Sequence, residues 1–168
     1  MNEMQQIKVE KVTVNISAGE VGSKVEKSVD LLEKITGKEP IKTSSGPDSK
    51  SFGIREGLDI GAMVTLRGEE AREFLEKVIP AADNISEDAF DGNGNFSFGV
   101  GEYIDVPGVD YDSDIGMKGF EVAVTLERPG YRVKKRDYKP TEVGNQHKVS
   151  DVDAKEFVED ELGIEVNQ

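Results

Sequence analysis

The 168-residue sequence predicts an α+β fold: an antiparallel β-sheet packed with about three main α-helices in a single domain, residues 1–168. Two segments show the two-residue alternation of half-buried strands. Three others carry apolar residues at helical spacing. The predicted order is strand, helix, strands, helix, strands, helix, and a chain of this length can bury a substantial core.

The first strand and the first helix are predicted near the N-terminus. Residues Ile7–Ile16 alternate between apolar and polar side chains, which predicts a strand with one buried face. Ser23 and Glu26 have the spacing of a capping box at a helix start. Gly37 stands where a helix favours a left-handed residue at its end. A short strand is then predicted over Pro40–Thr43.

The next segment is predicted as a loop followed by two strands. The run Ser44–Ser49 is polar and rich in turn residues, so we expect an exposed loop over about residues 44–51. Phe52–Arg55 and Ala62–Arg67 are predicted as strands around a turn at Gly57. After them, Glu69–Ile79 has the pattern of an amphipathic helix.

The C-terminal part contains two further strands and a last helix. Phe96, Phe98 and Val100 would share one face of a strand, and residues 120–126 alternate most clearly of all. Residues 105–117, rich in Pro, Gly and Asp, are predicted as an exposed loop. Ser150 is predicted to cap a final helix that ends at Gly163.

Composition excludes several classes of site. The chain has no cysteine, which excludes disulfides and thiol chemistry and suits a reducing cytoplasm. His147 is the only histidine, so a multi-histidine metal site is excluded, and no nucleophile motif accompanies it. The polar segment Met1–Ile7 does not read as a secretory signal, and no stretch approaches the roughly 20 apolar residues of a membrane span.

The net charge of −13 argues against nucleic acid as a partner, because phosphate binding favours a basic surface. An acidic excess distributed along the chain is also typical of a hydrated surface suited to high salt. The basic residues concentrate in Arg128–Arg136, interleaved with Tyr131. This segment is either a solvated strand end or a phosphate-binding segment.

Two motifs leave alternatives open. Asp91–Asn95 followed by Glu102 suggests a calcium loop, but Phe96 occupies the position where such a loop needs glycine, so a Gly/Asn turn is favoured. Phe96 and Phe98 have the spacing of base-stacking rings, although filling the core is the commoner role. Nothing in the sequence nominates catalytic residues or a cofactor.

Five strings follow one another along almost the whole chain: Val9–Ile16, Ile35–Pro40, Phe52–Gly57, Ile60–Gly68 and Phe90–Val100. Together they resemble large-subunit ribosomal protein L five, the universal 5S rRNA-binding family. The strings Arg128–Val133 and Gln146–Val149 are similar to its archaeal and eukaryotic branch. The acidic composition resembles members from salt-loving archaea.

The resemblance implies a non-enzymatic constituent of the large subunit in the cytoplasm, with no cofactor and no membrane partner. Its expected partners are 5S rRNA in the central protuberance, large-subunit rRNA, P-site tRNA and, across an intersubunit bridge, small-subunit ribosomal protein thirteen. Asn15 and Thr43 match family positions at the RNA surface, and Arg55 closes a matching string. Residues 44–57 would reach the tRNA, and residues 105–117 would face the small subunit.

The predicted RNA-binding residues combine the family-matched positions with polar and basic residues nearby. They are Asn15, Lys42, Thr43, Lys50, Arg55, Arg67, Asn93, Asn95, Arg128, Tyr131, Arg132, Lys134, Lys135 and Arg136.

The sequence departs from the family where Ser44–Pro47 and Met63 replace commonly basic residues. High salt would explain such losses, because screening weakens phosphate attraction. The alternative function is an acidic metal-binding or protein-interaction module built on Asp91–Glu102.

Overall fold

The computed structural model describes residues 2–82 and 85–163 and confirms the α+β class. The described residues form one five-stranded sheet, and the longer helices pack on one of its faces. Its strands are β1 (Lys8–Ser17), β2 (Ile41–Ser44), β3 (Asp59–Leu66), β4 (Phe96–Val100) and β5 (Phe120–Glu127). The helices are α1 (Ser23–Thr36), α2 (Glu69–Val78), the short α3 (Arg132–Lys135) and α4 (Asp151–Leu162).

The sheet has the order β2-β3-β1-β5-β4, and every neighbouring pair is antiparallel. The central strand β1 is therefore hydrogen-bonded on both sides. Val14 of β1 pairs with Val64 of β3 and with Val122 of β5. Because side chains alternate along a strand, this register puts the valines of three strands on one face.

That face forms the hydrophobic core. Val12 and Val14 are fully buried there, together with Leu31 and Leu32 of α1, Leu75 of α2 and other apolar residues of the sheet. Ala154 and Val158 of α4 belong to the same buried cluster. The amphipathic helices therefore cover one side of the sheet, and residues at alternate strand positions lie on its other side.

Two local predictions are wrong. Phe52–Arg55 is not a strand, because Pro47–Phe52 forms a 3₁₀ helix and Gly53 takes a left-handed conformation with φ 74°. Ser23 is not a helix cap, because Gly22 holds the N-cap position and no side chain caps α1. A glycine there removes the side chain that a capping box requires.

The predicted starts of α2 and α4 and the predicted ends of α1 and α4 are confirmed, whereas α2 ends at Val78, one residue before the predicted Ile79. Gly37 and Gly163 end α1 and α4 in the left-handed region. The hydroxyl of Ser150 accepts from the backbone N–H of Asp153, whose carboxylate accepts from the Ser150 N–H in return. No helix in residues 2–82 or 85–163 is long and apolar enough to cross a membrane.

Both predicted loops are more ordered than the sequence suggested. Ser45 is buried, and its hydroxyl donates to the Arg55 carbonyl at 2.6 Å while accepting from the Leu58 N–H at 3.1 Å. In the 105–117 segment, Val106, Val109 and Ile115 join the buried apolar residues. Each loop is therefore anchored by buried groups and exposes only part of its length.

Candidate RNA interface

One face of the sheet carries no helix and consists mainly of small and polar residues. Thr65, Thr13, Ala123 and Ser97 form a row across β3, β1, β5 and β4 in the observed register. Thr65, Ala123 and Ser97 are exposed, and Thr13 is half-buried. We call this surface, formed by the residues that alternate with the core, the open face. Its short side chains leave the backbone accessible to a large ligand.

The open face brings together two of the predicted residues, Asn15 and Thr43. Asn15 pairs with Met63 of β3, and Thr43 pairs with Gly61 of the same strand, so both side chains lie on this face. A Cβ at Gly61 would lie 2.8 Å from the Thr43 hydroxyl oxygen and 2.7 Å from the Ile16 carbonyl oxygen. Glycine at position 61 therefore makes room for the Thr43 side chain.

Lys42 lies on the opposite side of β2 from Thr43. Its ammonium pairs with the Glu26 carboxylate of α1. The hydrogen bond to Glu26 raises the pKa of Lys42 above its ordinary value. The structure therefore separates Lys42 from the open face, although the two residues are adjacent in sequence.

The segment 45–58 projects from one end of the open face. Lys50 and Arg55 are exposed, and the Lys50 ammonium lies 4.0 Å from Glu56. Arg55 makes no ion pair with any residue in the described ranges. Phe52 is 83% exposed at the end of the 3₁₀ helix, although nothing in the sequence-based reading singled out this ring.

The other end of the open face carries the basic lobe, which we define as residues 128–148, including α3. Arg132, Lys134 and Arg136 are exposed here and make no ion pair within the described part of the chain. Lys139 and Lys148 are also exposed in this lobe, although the sequence-based prediction omitted them. The lobe follows directly from the end of β5.

Glu10 joins the basic lobe to the sheet. Its carboxylate accepts from Lys135 and lies 3.4 Å from the Arg67 guanidinium, while Lys135 also contacts Glu127 at 3.1 Å. Burial alone would raise the pKa of Glu10, but Lys135 and Arg67 outweigh it and hold the pKa below its usual range. Two predicted RNA-binding cations, Arg67 and Lys135, therefore already have carboxylate partners.

Arg128 and Tyr131 make contacts inside the protein. The Arg128 guanidinium contacts Asp153 at 3.0 Å and donates to the Lys148 carbonyl at 3.4 Å. The Tyr131 hydroxyl donates to the His147 carbonyl and accepts from the Val149 N–H at 2.9 Å. These contacts fix the shape of the basic lobe.

The segment predicted as a Gly/Asn turn contains Asn93 and Asn95. The Asp91 carboxylate accepts from the backbone N–H groups of both asparagines, at 2.8 and 3.0 Å, and from the Asn95 side-chain amide at 2.8 Å. Burial would raise the pKa of Asp91, but these hydrogen bonds lower it. The Asn95 side-chain oxygen also accepts from the Leu126 N–H, so both ends of that amide are engaged.

The described residues bear on two of the alternative roles of this region, a metal site and base-stacking rings. No group of three acidic or histidine residues that could hold a metal ion occurs in the described ranges, and Asp91 is committed to its own turn. Phe96 and Phe98 are 2% and 7% exposed. Their rings therefore fill the core and do not stack on bases from the open face.

The acidic excess is concentrated away from the open face. In α2 and α4 the acidic side chains far outnumber the basic ones, which are Arg72, Lys77 and Lys155. The short helix α3 contains only basic and apolar residues. The net negative charge therefore coexists with a local positive surface at the end of the sheet.

An α+β protein with a polar open face and a basic lobe at its edge offers a surface suited to a polyanionic ligand such as nucleic acid. Residues 2–55 match the family described as ribosomal protein L5, and residues 59–159 match the C-terminus of the ribosomal L5 family. The chain therefore belongs to the ribosomal protein L5 family. Membership supports a structural, non-enzymatic role in the large subunit of the cytoplasmic ribosome.

Archaeal relatives match nearly the whole chain. A protein of Nanoarchaeum equitans named large ribosomal subunit protein uL5 is 44% identical over 97% of this chain and 97% of its own length. Proteins of the same name from Sulfurisphaera tokodaii and Cenarchaeum symbiosum are 42% and 41% identical, covering 99% and 98% of this chain and 95% and 98% of their own.

The two matched segments form one sheet. Strand β1 comes from the N-terminal segment, and both of its neighbours, β3 and β5, come from the C-terminal segment. The backbone hydrogen bonds of the central strand therefore join the two halves of the family match.

Proposed function

We propose that this chain binds 5S rRNA in the central protuberance of the large subunit, using the open face and the basic lobe beside it. The observation that carries the proposal is the shared placement of Asn15 and Thr43, two family-matched polar residues, on the face that no helix covers. The second support is the group of exposed cations in the basic lobe. Large-subunit rRNA is the further expected nucleic-acid partner.

The binding mode would depend on shape and hydrogen bonding more than on long-range attraction. The rows of Thr, Ser, Ala and Gly on the open face present hydroxyl groups and backbone to the ligand. RNA helices are recognised largely through shape and contacts to 2′-hydroxyl and phosphate groups. Such short-range contacts survive at high salt, where phosphate steering is screened. This explains how an acidic protein could serve in a concentrated cytoplasm.

We propose that residues 44–57 face the P-site tRNA. They combine the exposed ring of Phe52 with the cations Lys50 and Arg55. An exposed ring and a guanidinium plane can both stack on unpaired bases. The two hydrogen bonds of the Ser45 hydroxyl, to Arg55 and Leu58, form an internal clamp that would hold the segment in place and so position these side chains.

We also propose that the segment 105–117, followed directly by Lys118, contributes to the intersubunit bridge with small-subunit ribosomal protein thirteen. The Lys118 ammonium donates to the Lys24 carbonyl and the Ser28 hydroxyl of α1, at 2.9 and 2.8 Å. Tyr111 and Met117 are exposed on this segment. A segment anchored to a helix with apolar groups outward suits protein contact.

The test of 5S rRNA binding compares the full chain with Asn15→Ala by fluorescence anisotropy, in about 1 M potassium chloride with magnesium, where the Debye length is near 3 Å. We expect affinity about tenfold weaker for the variant, the scale of one hydrogen bond buried at an interface. Lys27→Ala on α1 is the control, because the Lys27 side chain is exposed and makes no ion pair or hydrogen bond with any described residue. Absence of tight wild-type binding would overturn the proposal.

A second experiment addresses the tRNA and bridge contacts. Large subunits reconstituted with Phe52→Ala or Tyr111→Ala protein are compared with wild type for P-site tRNA binding and for association with small subunits. We expect the Phe52 variant to weaken only tRNA binding and the Tyr111 variant to weaken only subunit association. If both variants matched wild type in tRNA binding and in subunit association, the two proposed contacts would be wrong, and the proposal of 5S rRNA binding would be unaffected.

A further inference from the structure

A cavity of about 360 Å³ lies between the end of β5 and the basic lobe. Thr125 of the open face lines it from the sheet, Asn93 from the turn before β4, and Tyr131, Lys134 and Lys148 from the lobe. We propose that this cavity binds one unstacked nucleotide of the bound RNA. The inference rests on the proposed RNA-binding function and specifies a site for it.

Part of the cavity wall is held in place by hydrogen bonds within the protein. The Tyr131 hydroxyl is held between the His147 carbonyl and the Val149 N–H, and both ends of the Asn95 amide are bonded. Val143, which also lines the cavity, is only 8% exposed. A preformed pocket loses little conformational freedom on binding, which favours capture of a single base.

Two polar side chains that line the cavity remain unengaged. The Asn93 side-chain amide and the Thr125 hydroxyl make no hydrogen bond to any residue within 2–82 or 85–163. An amide offers both donor and acceptor atoms, and a hydroxyl does the same. These are the groups that read the edge of an unpaired base, while Tyr131 and Val143 provide apolar surface for its ring.

The cavity lining contains carboxylates and lysines, and its exposed lysines provide positive charge for a phosphate at the rim. Lys135 is neutralised by Glu10 and Glu127, whereas Lys134 and Lys148 are exposed and make no ion pair in the part of the chain described. Two lysines without acidic partners match one phosphate group. Glu142 also lines the cavity, and its ionised carboxylate can only accept hydrogen bonds, so it favours a base that carries an amino group.

The size of the cavity agrees with this occupant. Pockets for small ligands commonly enclose roughly 300–1,000 Å³, and this cavity lies at the lower end of that range. Sequence-specific recognition of RNA generally uses bases that have left the helical stack. The cavity also adjoins the open face through Thr125, so a helix bound there could place one extruded nucleotide in it.

The experiment combines a substitution that fills the cavity with RNAs that each lack one base, and compares the four binding affinities as a double-mutant cycle. Thr125→Trp protein and wild-type protein are each titrated with intact 5S rRNA and with a series of 5S rRNAs that each lack one base. We expect one abasic position to weaken wild-type binding about tenfold, the scale of one stacked base. The same abasic RNA should bind Thr125→Trp no more weakly than intact RNA does, because the cavity is already filled.

Two further variants separate the cavity from its surroundings. Ala123→Trp adds the same ring to the open face, two residues along β5 and outside the cavity lining. The loss of affinity caused by Ala123→Trp should therefore add to the loss caused by each missing base. Thr125→Val keeps the size of the side chain and removes the hydroxyl, so it should fold normally and still bind intact RNA more weakly. Its circular dichroism and melting temperature check the fold.

If the loss of affinity caused by Thr125→Trp simply added to the loss caused by each missing base, at every position of the RNA, the nucleotide site would be overturned and 5S rRNA binding would remain in place. Wild-type affinity for intact RNA in both variants of Thr125 would do the same. Failure of the wild-type chain to bind any of these RNAs would instead overturn the proposed function itself.

Discussion

The Arg128 guanidinium lies 3.0 Å from the Asp153 carboxylate, which links the start of the basic lobe to the first turn of α4. The same carboxylate accepts from the Ser150 N–H and hydroxyl. Burial would raise the pKa of Asp153, but these hydrogen bonds and Arg128 hold it below its ordinary value. One side chain therefore caps a helix and balances a largely buried cation.

Asp153→Asn should lower the free energy of unfolding by about 2 kcal/mol, because it weakens the cap and leaves Arg128 without its counter-ion. Asp160→Asn is the matched control, since Asp160 lies on the same helix, is exposed and has no partner among the described residues. It should change stability by less than about 0.5 kcal/mol. Urea denaturation measures both, and equal values would contradict the role of Asp153.

Acid should destabilise the protein through three carboxylates. The pKa values of Glu10, Asp91 and Asp153 are all lowered in the folded state. Their stabilising contribution is complete above the unfolded values of about 4 and is lost as the pH falls through the lower folded values. Melting temperatures measured from pH 7 down to pH 3 should fall, and Asp153→Asn should show a flatter profile. A profile identical to wild type would argue against the contribution of Asp153.

Ser45→Ala should release the segment 45–58. The substitution leaves the Arg55 carbonyl and the Leu58 N–H without their side-chain partner in a buried position, which costs about 1–3 kcal/mol. Hydrogen exchange at the Leu58 amide should accelerate. Ser44→Ala is the control, because the exposed Ser44 side chain makes no hydrogen bond to a described residue. Unchanged exchange in Ser45→Ala would show that the clamp is not needed.

Glu10→Gln should increase RNA affinity while reducing stability. The change frees Arg67 from its carboxylate partner and leaves Lys135 paired with Glu127 alone, so the dependence of log affinity on log salt should steepen by about one. Loss of the ion pairs should cost about 1 kcal/mol. Glu3→Gln changes the net charge equally, but Glu3 has no ion partner within the described residues. Weaker binding by Glu10→Gln would mean that Glu10 positions these cations for RNA.

Replacing Arg132, Lys134 and Arg136 together by Gln should reduce the salt dependence of RNA binding. Removing the cation that neutralises one phosphate reduces the steepness of the salt dependence by about 0.7–0.9. The same change at Lys24, Lys27 and Lys77, on α1 and α2, removes equal charge elsewhere and should leave the slope nearly unchanged. Similar slopes in the two triple variants would exclude the basic lobe as a phosphate-binding surface.

Local pattern predicted most of the fold because its signals act over a few residues. The alternation in β1 and β5, the glycines that end α1 and α4, and the cap at Ser150 all depend on neighbours within one turn or strand. The prediction failed at Ser23 and at residues 52–55. At the start of α1, Gly22 occupies the N-cap position and has no side chain to cap the helix. At residues 47–53, Pro47 and Gly53 favour a 3₁₀ helix, and the buried Ser45 hydroxyl holds the following segment by hydrogen bonds to Arg55 and Leu58.

The candidate interface was predicted only in part. Alternation alone put Asn15 on the face opposite Val14, and the same signal could have nominated Thr13, Thr65, Ala123 and Ser97. It could not show that this face remains without a helix. The partners of the predicted cations were also hidden, because Lys135 and Glu10 are 125 positions apart in sequence.

Local periodicity and an ordered set of short strings were enough to predict the fold class, the main helices and strands, the family and the location of the basic segment. Folding was needed to show which of the candidate residues are exposed and which have partners within the protein. Exposure, ion pairing and the cavity beneath the basic lobe depend on which distant segments meet, and that is fixed by strand order and packing of the whole sheet.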